Sequence, residues 1–132
     1  MLKLSTTARE HFDNPRGIGV LIPGASDVVA GALVGEPVSG DILKLQLRAS
    51  KQGLVLAAHF KAYGCGWLIA CGSLLIEYIE GRMLAEILHF RHHYLVEKLS
   101  SLPPSKLHCA VLAETALKAV LRALPDNLLV NN

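Results

Sequence analysis

Cys65 is the residue whose surroundings most strongly suggest chemistry, because it stands between two glycines in the stretch AYGCGWLIACGS. Gly64 and Gly66 have no Cβ, so the backbone can turn sharply and leave the thiol uncrowded. A strand-like run ends before Cys65 and an apolar, helix-like run follows it. The N-terminus of that helix would favour a thiolate here. Such a thiolate is a candidate metal ligand or nucleophile, whereas a buried small residue that fits the turn is the alternative.

Three further residues are candidates to join Cys65 in one site. Asp41 stands in the turn between two predicted strands, and His108 and Cys109 stand in the predicted first turn of the last helix. With Cys65 they offer two thiolates, an imidazole and a carboxylate, which suit a tetrahedral zinc ion or iron held partly by sulfide. The spacing contains no CxxC pair, so a turn role for Asp41 and a core role for Cys109 remain alternatives.

A thiol enzyme is a second function class that these residues allow. Adjacent side chains diverge on a helix, so His108 is expected to pair with Cys65 rather than with Cys109. No oxyanion loop or substrate pocket is readable, and we therefore predict a binding protein rather than an enzyme. Cys71 lies about 240° around the helix from Cys65 and is predicted to be a core residue.

Length and composition indicate one domain over residues 1–132. No stretch approaches the ~18–20 apolar residues of a transmembrane helix, and the first residues lack the pattern of a secretory signal. The net charge is only +2 and aromatic residues make up 5 % of the chain, which argues against nucleic-acid binding. Three cysteines do not suggest a disulfide framework, so we predict a cytoplasmic protein with reduced thiols.

The first half of the chain predicts one helix and three strands. A short helix over 5–12 precedes irregular coil over 13–27, and the strands follow at Val28–Val34, Ile42–Ala49 and Leu54–Tyr63. The second strand alternates strictly between apolar and polar residues, and a glycine-containing hairpin turn links it to the third. In the third strand Leu56, Ala58, Phe60 and Ala62 are predicted to face the core, and His59 to face solvent.

The second half of the chain predicts helices. A largely apolar helix over Gly66–Glu80 is followed by helix-sized pieces at Met83–Phe90 and Tyr94–Leu99, and by a final helix at Leu107–Leu124. His92 and His93 are predicted to diverge on a solvated surface rather than to bind a metal. Strands first and helices afterwards predict an α+β fold, a three-stranded antiparallel sheet with a helical layer packed on one face.

Five motifs in order make the sequence resemble the U-type scaffolds of iron–sulfur cluster assembly, namely IscU and the N-terminal domain of NifU. The resemblance extends from His11 to about Leu124. The motifs are HFDNPRGIG (11–19), GEPVSGD (35–41), KAYGCG (61–66), LPPSK (102–106) and LHCAVLAETALKA (107–119). Any one of them is weak, but five with family-like spacing are specific.

The resemblance implies a monomer or weak dimer on which a 2Fe–2S cluster is built from iron and the sulfur of a cysteine desulfurase, then passed to acceptor proteins. It implies Asp41, Cys65, His108 and Cys109 as ligands, with zinc as a substitute ion. An Hsp70-type chaperone and its co-chaperone are further implied partners. Their predicted contact is the segment of Leu102, Pro103, Pro104, Ser105 and Lys106, in which Ser105 replaces a valine of the family pattern.

Position 39 departs from the family pattern, because Ser39 stands where the family has its first cysteine. A serine hydroxyl stays protonated at neutral pH and cannot hold a persulfide, so it is a poor substitute ligand. Metal binding by the four remaining donors is still expected. The alternative is a diverged paralogue that binds metal, or docks the desulfurase or chaperone, in a regulatory role without assembling clusters.

Overall fold

The structure, a computed structural model, describes residues 5–19 and 28–129. An antiparallel sheet of order β1-β2-β3 has helices packed on one face, so the predicted α+β class is confirmed. The elements are α1 (Thr6–Asp13), β1 (Val28–Gly35), β2 (Ile42–Ala49), β3 (Val55–Tyr63), α2 (Gly66–Ile79), α3 (Leu84–Ile87), α4 (His93–Leu99), a 3₁₀ turn (Pro104–Lys106), α5 (Leu107–Arg122) and α6 (Asp126–Leu129). Of the coil predicted over 13–27, residues 20–27 lie outside the described part.

The alternation along β2 places its apolar side chains against the helices. Leu43, Leu45, Leu47 and Ala49 are fully buried, and the residues between them face away from the helical layer. β1 and β3 pair with β2 on either side, and α5 packs across β1 and β2 while α2 packs on β3. The sheet therefore presents the end of β3 and the start of β2 at one edge, next to the first turn of α5.

The start of β3 differs from the prediction. Ala49 pairs with Val55 and Arg48 with Ala57, so Leu56 is an extra residue in a bulge. Val55 is consequently buried and Leu56 is 41 % exposed, which makes the predicted core position of Leu56 wrong. The bulge changes the inward and outward alternation, which a period-2 pattern cannot anticipate.

The helices lie where they were predicted along the chain, but several are shorter than predicted. α2 is buried on nearly all sides and ends where Gly81 adopts φ +82°, a conformation that favours glycine. The piece predicted over Met83–Phe90 forms only the four-residue helix α3, and α5 ends at Arg122 instead of Leu124. None of the helices in the described ranges combines the length and apolar character that crossing a membrane requires.

The adjacent histidines differ from the prediction. The rings of His92 and His93 stack at a centroid distance of 4.2 Å instead of diverging. His92 is half-buried, and both its backbone N–H and its Nδ1 lie within hydrogen-bond distance of Glu114 Oε1, at 2.6 and 3.0 Å. The predicted solvated surface is therefore correct for His93 and wrong for His92, because α5 supplies a carboxylate beside it.

Candidate functional site

The turn before β2 holds Asp41 by a set of local hydrogen bonds. The Glu36 carboxylate accepts the backbone N–H groups of Val38 and Ser39. The Ser39 side chain, and after it these backbone bonds, lower the pKa of Glu36. Gly40 adopts φ +79° and donates its N–H to Glu36 O. The backbone N–H of Asp41 donates to Ser39 Oγ at 3.1 Å. Ser39 is exposed and orients Asp41 through its hydroxyl.

Cys65 is the N-cap residue of α2, with extended backbone, and its side chain makes no capping hydrogen bond. A Cβ at position 64 would lie 2.5 Å from Asp41 Oδ1, and one at position 66 would lie 2.2 Å from the Phe12 ring. Glycine on both sides of the cysteine therefore permits this close approach. Gly64 makes room for the Asp41 carboxylate, and Gly66 makes room for a ring of α1.

The first turn of α5 supplies the remaining two donors. The 3₁₀ turn Pro104–Lys106 leads directly into α5, so His108 and Cys109 point toward the sheet edge from the N-terminal turn of a 16-residue helix. Cys109 is fully buried, whereas the His108 side chain is 23 % exposed. Cys109 therefore faces the core, whereas His108 lies toward solvent.

The structure brings Asp41, Cys65 and Cys109 within reach of one ion and places His108 beside two of them. Cys65 Sγ lies 3.9 Å from Cys109 Sγ, and Asp41 Oδ2 lies 3.8 Å from Cys109 Sγ. His108 Nε2 lies 2.8 Å from Asp41 Oδ2 and 3.6 Å from Cys109 Sγ. One ligand atom each from Asp41, Cys65 and Cys109 falls within 4.8 Å of the others. The expected divergence of His108 from Cys109 is wrong, because the imidazole lies beside the thiol.

Two of these separations match the edges of a tetrahedral zinc site. Two sulfurs and one nitrogen at ordinary zinc distances lie ~3.8 Å (sulfur to sulfur) and ~3.6 Å (sulfur to nitrogen) apart. The observed values are 3.9 and 3.6 Å. The hydrogen bond of 2.8 Å between His108 and Asp41 is shorter than the corresponding edge of ~3.3 Å, so this bond must open slightly for an ion to enter.

The electrostatics of the site keep a proton on Cys109 in the metal-free protein. Burial raises the pKa of the Cys109 thiol, and the neighbouring Cys65 and Asp41 raise it further. Because a metal requires thiolate, binding an ion here must release a proton, and the affinity will rise with pH.

The third cysteine lies away from this site. Cys71 is fully buried inside α2, and burial raises its pKa to about 12. The prediction of a core residue is confirmed. His59 lies on the solvent side of the sheet as predicted, although it is half-buried.

Sequence reasoning assigned no role to Phe12, whose ring covers Gly66 beside Cys65. α1 positions this ring, and it is fixed to α2 by buried His11, whose Nδ1 lies 2.7 Å from Ser73 Oγ. Burial lowers the pKa of His11, so the imidazole is neutral at pH 7. The sequence signal for the contact of Phe12 with Gly66 is that His11 and Phe12 are the first two residues of the motif HFDNPRGIG.

Comparison with known proteins gives consistent results over most of the chain. The model of the NifU-like N terminal domain family matches residues 4–127. The iron-sulfur cluster assembly scaffold protein IscU of Azotobacter vinelandii is 44 % identical over 113 residues, covering 86 % of this chain and 87 % of the relative. IscU of Escherichia coli strain K12 is 40 % identical over 112 residues, covering 85 % and 86 %.

Solved structures support the same fold. A NifU-like protein (N-terminal) from Brucella abortus superposes with a TM-score of 0.69 at 14 % identity, covering 90 % of this chain and 92 % of that one. A putative iron-sulfur cluster assembly scaffold protein for the SUF system from Fervidobacterium islandicum superposes with a TM-score of 0.64 at 16 % identity, covering 89 % and 95 %. At these identities the likeness concerns the fold alone.

Proposed function

The chain belongs to the family of NifU-like N-terminal domains, and on that basis we propose that it is a scaffold for iron–sulfur cluster assembly. Its cargo is iron with sulfide, with zinc as a substitute ion, bound by Asp41, Cys65, His108 and Cys109 and passed on to acceptor proteins. The observation that supports this most directly is the 3.9 Å separation of two sulfurs that are 44 residues apart in the sequence.

The donors differ in access, which suits binding and release. Cys65 and His108 are partly exposed, whereas Asp41 and Cys109 are buried. An incoming ion meets the exposed donors first, and the buried thiol then gives up its proton. Ligand atoms of Asp41, Cys65 and Cys109 lie within 4.8 Å of one another, which suits one ion, so a cluster with two irons requires at least one donor segment to shift. Of the three segments that carry the donors, the turn over 36–41 is the most exposed, so it is the segment that we expect to shift.

Such a protein turns over no substrate of its own, and we infer that it is not an enzyme. The sulfur of the cluster would come from a cysteine desulfurase. The segment Leu102–Lys106 is proposed as the contact of an Hsp70-type chaperone and its co-chaperone. Its support is that Pro104 and Ser105 are exposed between α4 and α5 and that Pro103 has an extended backbone. The three free cysteines favour a reducing, cytoplasmic location.

The test is cobalt and zinc binding by the purified protein, measured by thiolate-to-cobalt absorption and by metal analysis. We expect about one ion per chain. Cys65→Ala and Cys109→Ala should each abolish the thiolate bands of the parent. Cys71→Ala is the matched control, since it removes a thiol outside the site and should leave the stoichiometry unchanged. If both site variants retain the ion as well as the parent does, the ligand assignment is wrong.

Ser39 favours the second candidate, a regulatory paralogue that binds metal without assembling clusters. Anaerobic reconstitution with iron, sulfide and a cysteine desulfurase separates the two functions. Appearance of the visible charge-transfer absorption of a cluster supports the scaffold. Zinc binding with no such absorption supports the paralogue.

A further inference from the structure

The two thiols of the candidate site form a close pair whose members differ in access to solvent. Cys65 Sγ and Cys109 Sγ lie 3.9 Å apart, and neither cysteine is in a disulfide. Cys65 is half-exposed, whereas Cys109 is fully buried. A small oxidant in solution therefore reaches Cys65 first, and the thiol of Cys109 is in contact with Cys65 on the inner side.

Cys65 also has the surroundings of a reactive thiol. It is the N-cap residue of the 14-residue helix α2, and a helix N-terminus favours a thiolate. Its side chain makes no capping hydrogen bond, so no such bond restrains the sulfur. An accessible thiolate beside a second cysteine is the arrangement that redox-sensing proteins use, because the second thiol can resolve the oxidised first one.

A bond between the two sulfurs requires only a local movement. The sulfurs of a disulfide lie ~2.05 Å apart, so the separation of 3.9 Å must shorten by about 1.9 Å. Rotation about the Cα–Cβ bonds, with Gly64 and Gly66 as flexible neighbours of Cys65, supplies such a movement. The bond would link two residues that are 44 positions apart, at the beginnings of α2 and α5.

Cys71 differs from this pair in its access to solvent. It is fully buried inside α2, and burial raises its pKa to about 12. A buried thiol that keeps its proton is a poor nucleophile, so Cys71 should not react with an oxidant in the folded protein. The chain therefore contains its own unreactive reference cysteine.

We propose that Cys65 and Cys109 form a reversible redox switch, in which hydrogen peroxide converts the two thiols to a disulfide and closes the ion site. The Cys65 sulfur attacks one peroxide oxygen and the O–O bond breaks. The departing oxygen leaves as water with the Cys65 proton, and Cys65 becomes a sulfenic acid. Cys109 Sγ then attacks Cys65 Sγ, and the sulfenic hydroxyl leaves with the Cys109 proton as a second water. The thiol pair gives up two electrons, which reduce one peroxide to two waters.

The disulfide removes both sulfur ligands from the site, because a metal binds the thiolate form of cysteine. Asp41 and His108 alone do not complete a tetrahedral set. A dithiol reductant restores the thiols by exchange and is itself converted to a disulfide. That oxidation stops cluster assembly rests on the proposed function, whereas formation of the disulfide does not.

The test is alkylation of the metal-free, reduced protein after exposure to hydrogen peroxide. N-ethylmaleimide in denaturant labels every remaining thiol, and the intact mass counts the labels. The untreated parent should carry three labels, one for each free cysteine. The oxidised parent should keep only the label on Cys71. Peptide mapping should locate the bond between Cys65 and Cys109, and dithiothreitol should restore all labels.

Three variants test the role of each cysteine. Cys71→Ala is the matched control and should form the disulfide at the rate of the parent. Cys109→Ala should accumulate sulfinic acid at Cys65, since the resolving thiol is gone. Cys65→Ser keeps a favourable N-cap residue, so α2 should still form. In that variant the buried Cys109 should be oxidised about tenfold more slowly or less, because the oxidant does not reach it.

Zinc provides an independent measurement. Saturating zinc should slow disulfide formation about tenfold or more, because the ion holds both thiolates. A disulfide in a protein that binds no zinc would support the switch and contradict the proposed function. Zinc binding by a parent that keeps all three labels after peroxide treatment would support the proposed function and overturn the switch. The switch is also overturned if the bond includes Cys71 or joins two chains.

Discussion

Gly64 acts in the site through the space that it leaves. The Asp41 carboxylate occupies the position in which any side chain at residue 64 would begin, and Leu68 approaches the same point to 2.9 Å. A side chain at residue 64 would therefore displace the Asp41 carboxylate or Leu68 from its position beside Cys65. At the scale of single residues, the site depends on such missing atoms as much as on its four donors.

Gly64→Ala should displace the Asp41 carboxylate and weaken zinc binding by about tenfold or more, as changes beside metal ligands commonly do. Gly35→Ala is the matched control. A Cβ there would meet its nearest atom, Asp41 O, at 3.6 Å, an ordinary contact. Competition with a chromophoric chelator measures both affinities. Equal zinc affinities for the two variants would show that the approach of Asp41 to Gly64 has no bearing on the ion.

Ser39→Cys should increase the yield and lifetime of a reconstituted cluster, because a thiol adds the soft ligand that the hydroxyl cannot provide. Ser39→Ala is the control, since it removes the hydrogen bond to the N–H of Asp41 without adding a ligand. Visible absorption after anaerobic reconstitution compares the three proteins. A cluster yield in Ser39→Cys no higher than in the parent would mean that position 39 does not reach the cargo.

At the scale of elements, α5 determines both the site and the position of α4. Its first turn supplies His108 and Cys109, and about one and a half turns further on Glu114 contacts the residues that precede α4. The Glu114 side chain is 12 % exposed and is bonded to Lys118 Nζ at 2.7 Å as well as to His92. Partial burial opposes its ionisation, but the hydrogen bonds from Lys118 and His92 outweigh burial and lower the pKa from 4.5 to about 2.

Glu114→Gln should destabilise the protein by about 1–2 kcal/mol at neutral pH, because it removes charge-assisted hydrogen bonds from a mostly buried group. A depressed carboxylate pKa contributes stability above the unfolded-state value, and this contribution is lost as pH falls from about 4.5 toward about 2. The difference between parent and variant should therefore shrink over that range. Urea unfolding at several pH values measures it.

Glu97→Gln, on the exposed side of α4, is the control and should change the unfolding free energy by less than about 0.5 kcal/mol at every pH. A pH-independent difference between Glu114→Gln and the parent would contradict an ionic role for Glu114.

At the scale of the whole molecule, the proposed ion joins three parts of the chain that are otherwise held by packing and by the hydrogen bond between Asp41 and His108. The bond between Asp41 and His108 spans 67 residues, and the contact between Cys65 and Cys109 spans 44. An ion that binds the folded site and not the unfolded chain stabilises the fold by mass action.

Zinc at 100 times its dissociation constant should stabilise the fold by about 2.7 kcal/mol. For a chain of this size that corresponds to a melting temperature about 10 °C higher. Differential scanning calorimetry with and without zinc measures the shift, and a chelator should reverse it. Cys71→Ala should show the full shift and Cys109→Ala little or none. A shift that survives in Cys109→Ala would place the ion elsewhere.

The sequence by itself determined the class of the fold and the family. The alternation of β2, the glycines around Cys65 and the five ordered motifs are each properties of neighbouring residues. Such patterns depend on local geometry, with periods of two for strands and about 3.6 for helices. They correctly predicted a sheet followed by helices and a core position for Cys71, and they placed Asp41, Cys65, His108 and Cys109 at the ends of elements.

Only the tertiary structure decided the distances between side chains of different elements. The bulge at Leu56, the bond from His92 to Glu114 and the contact of His108 with Cys109 each depend on how one element packs against another. The same is true of the 3.9 Å between the two sulfurs, which requires α5 to cross the sheet at one angle and depth. Side chains in a close-packed interior settle such separations jointly, and no pattern within one segment specifies them.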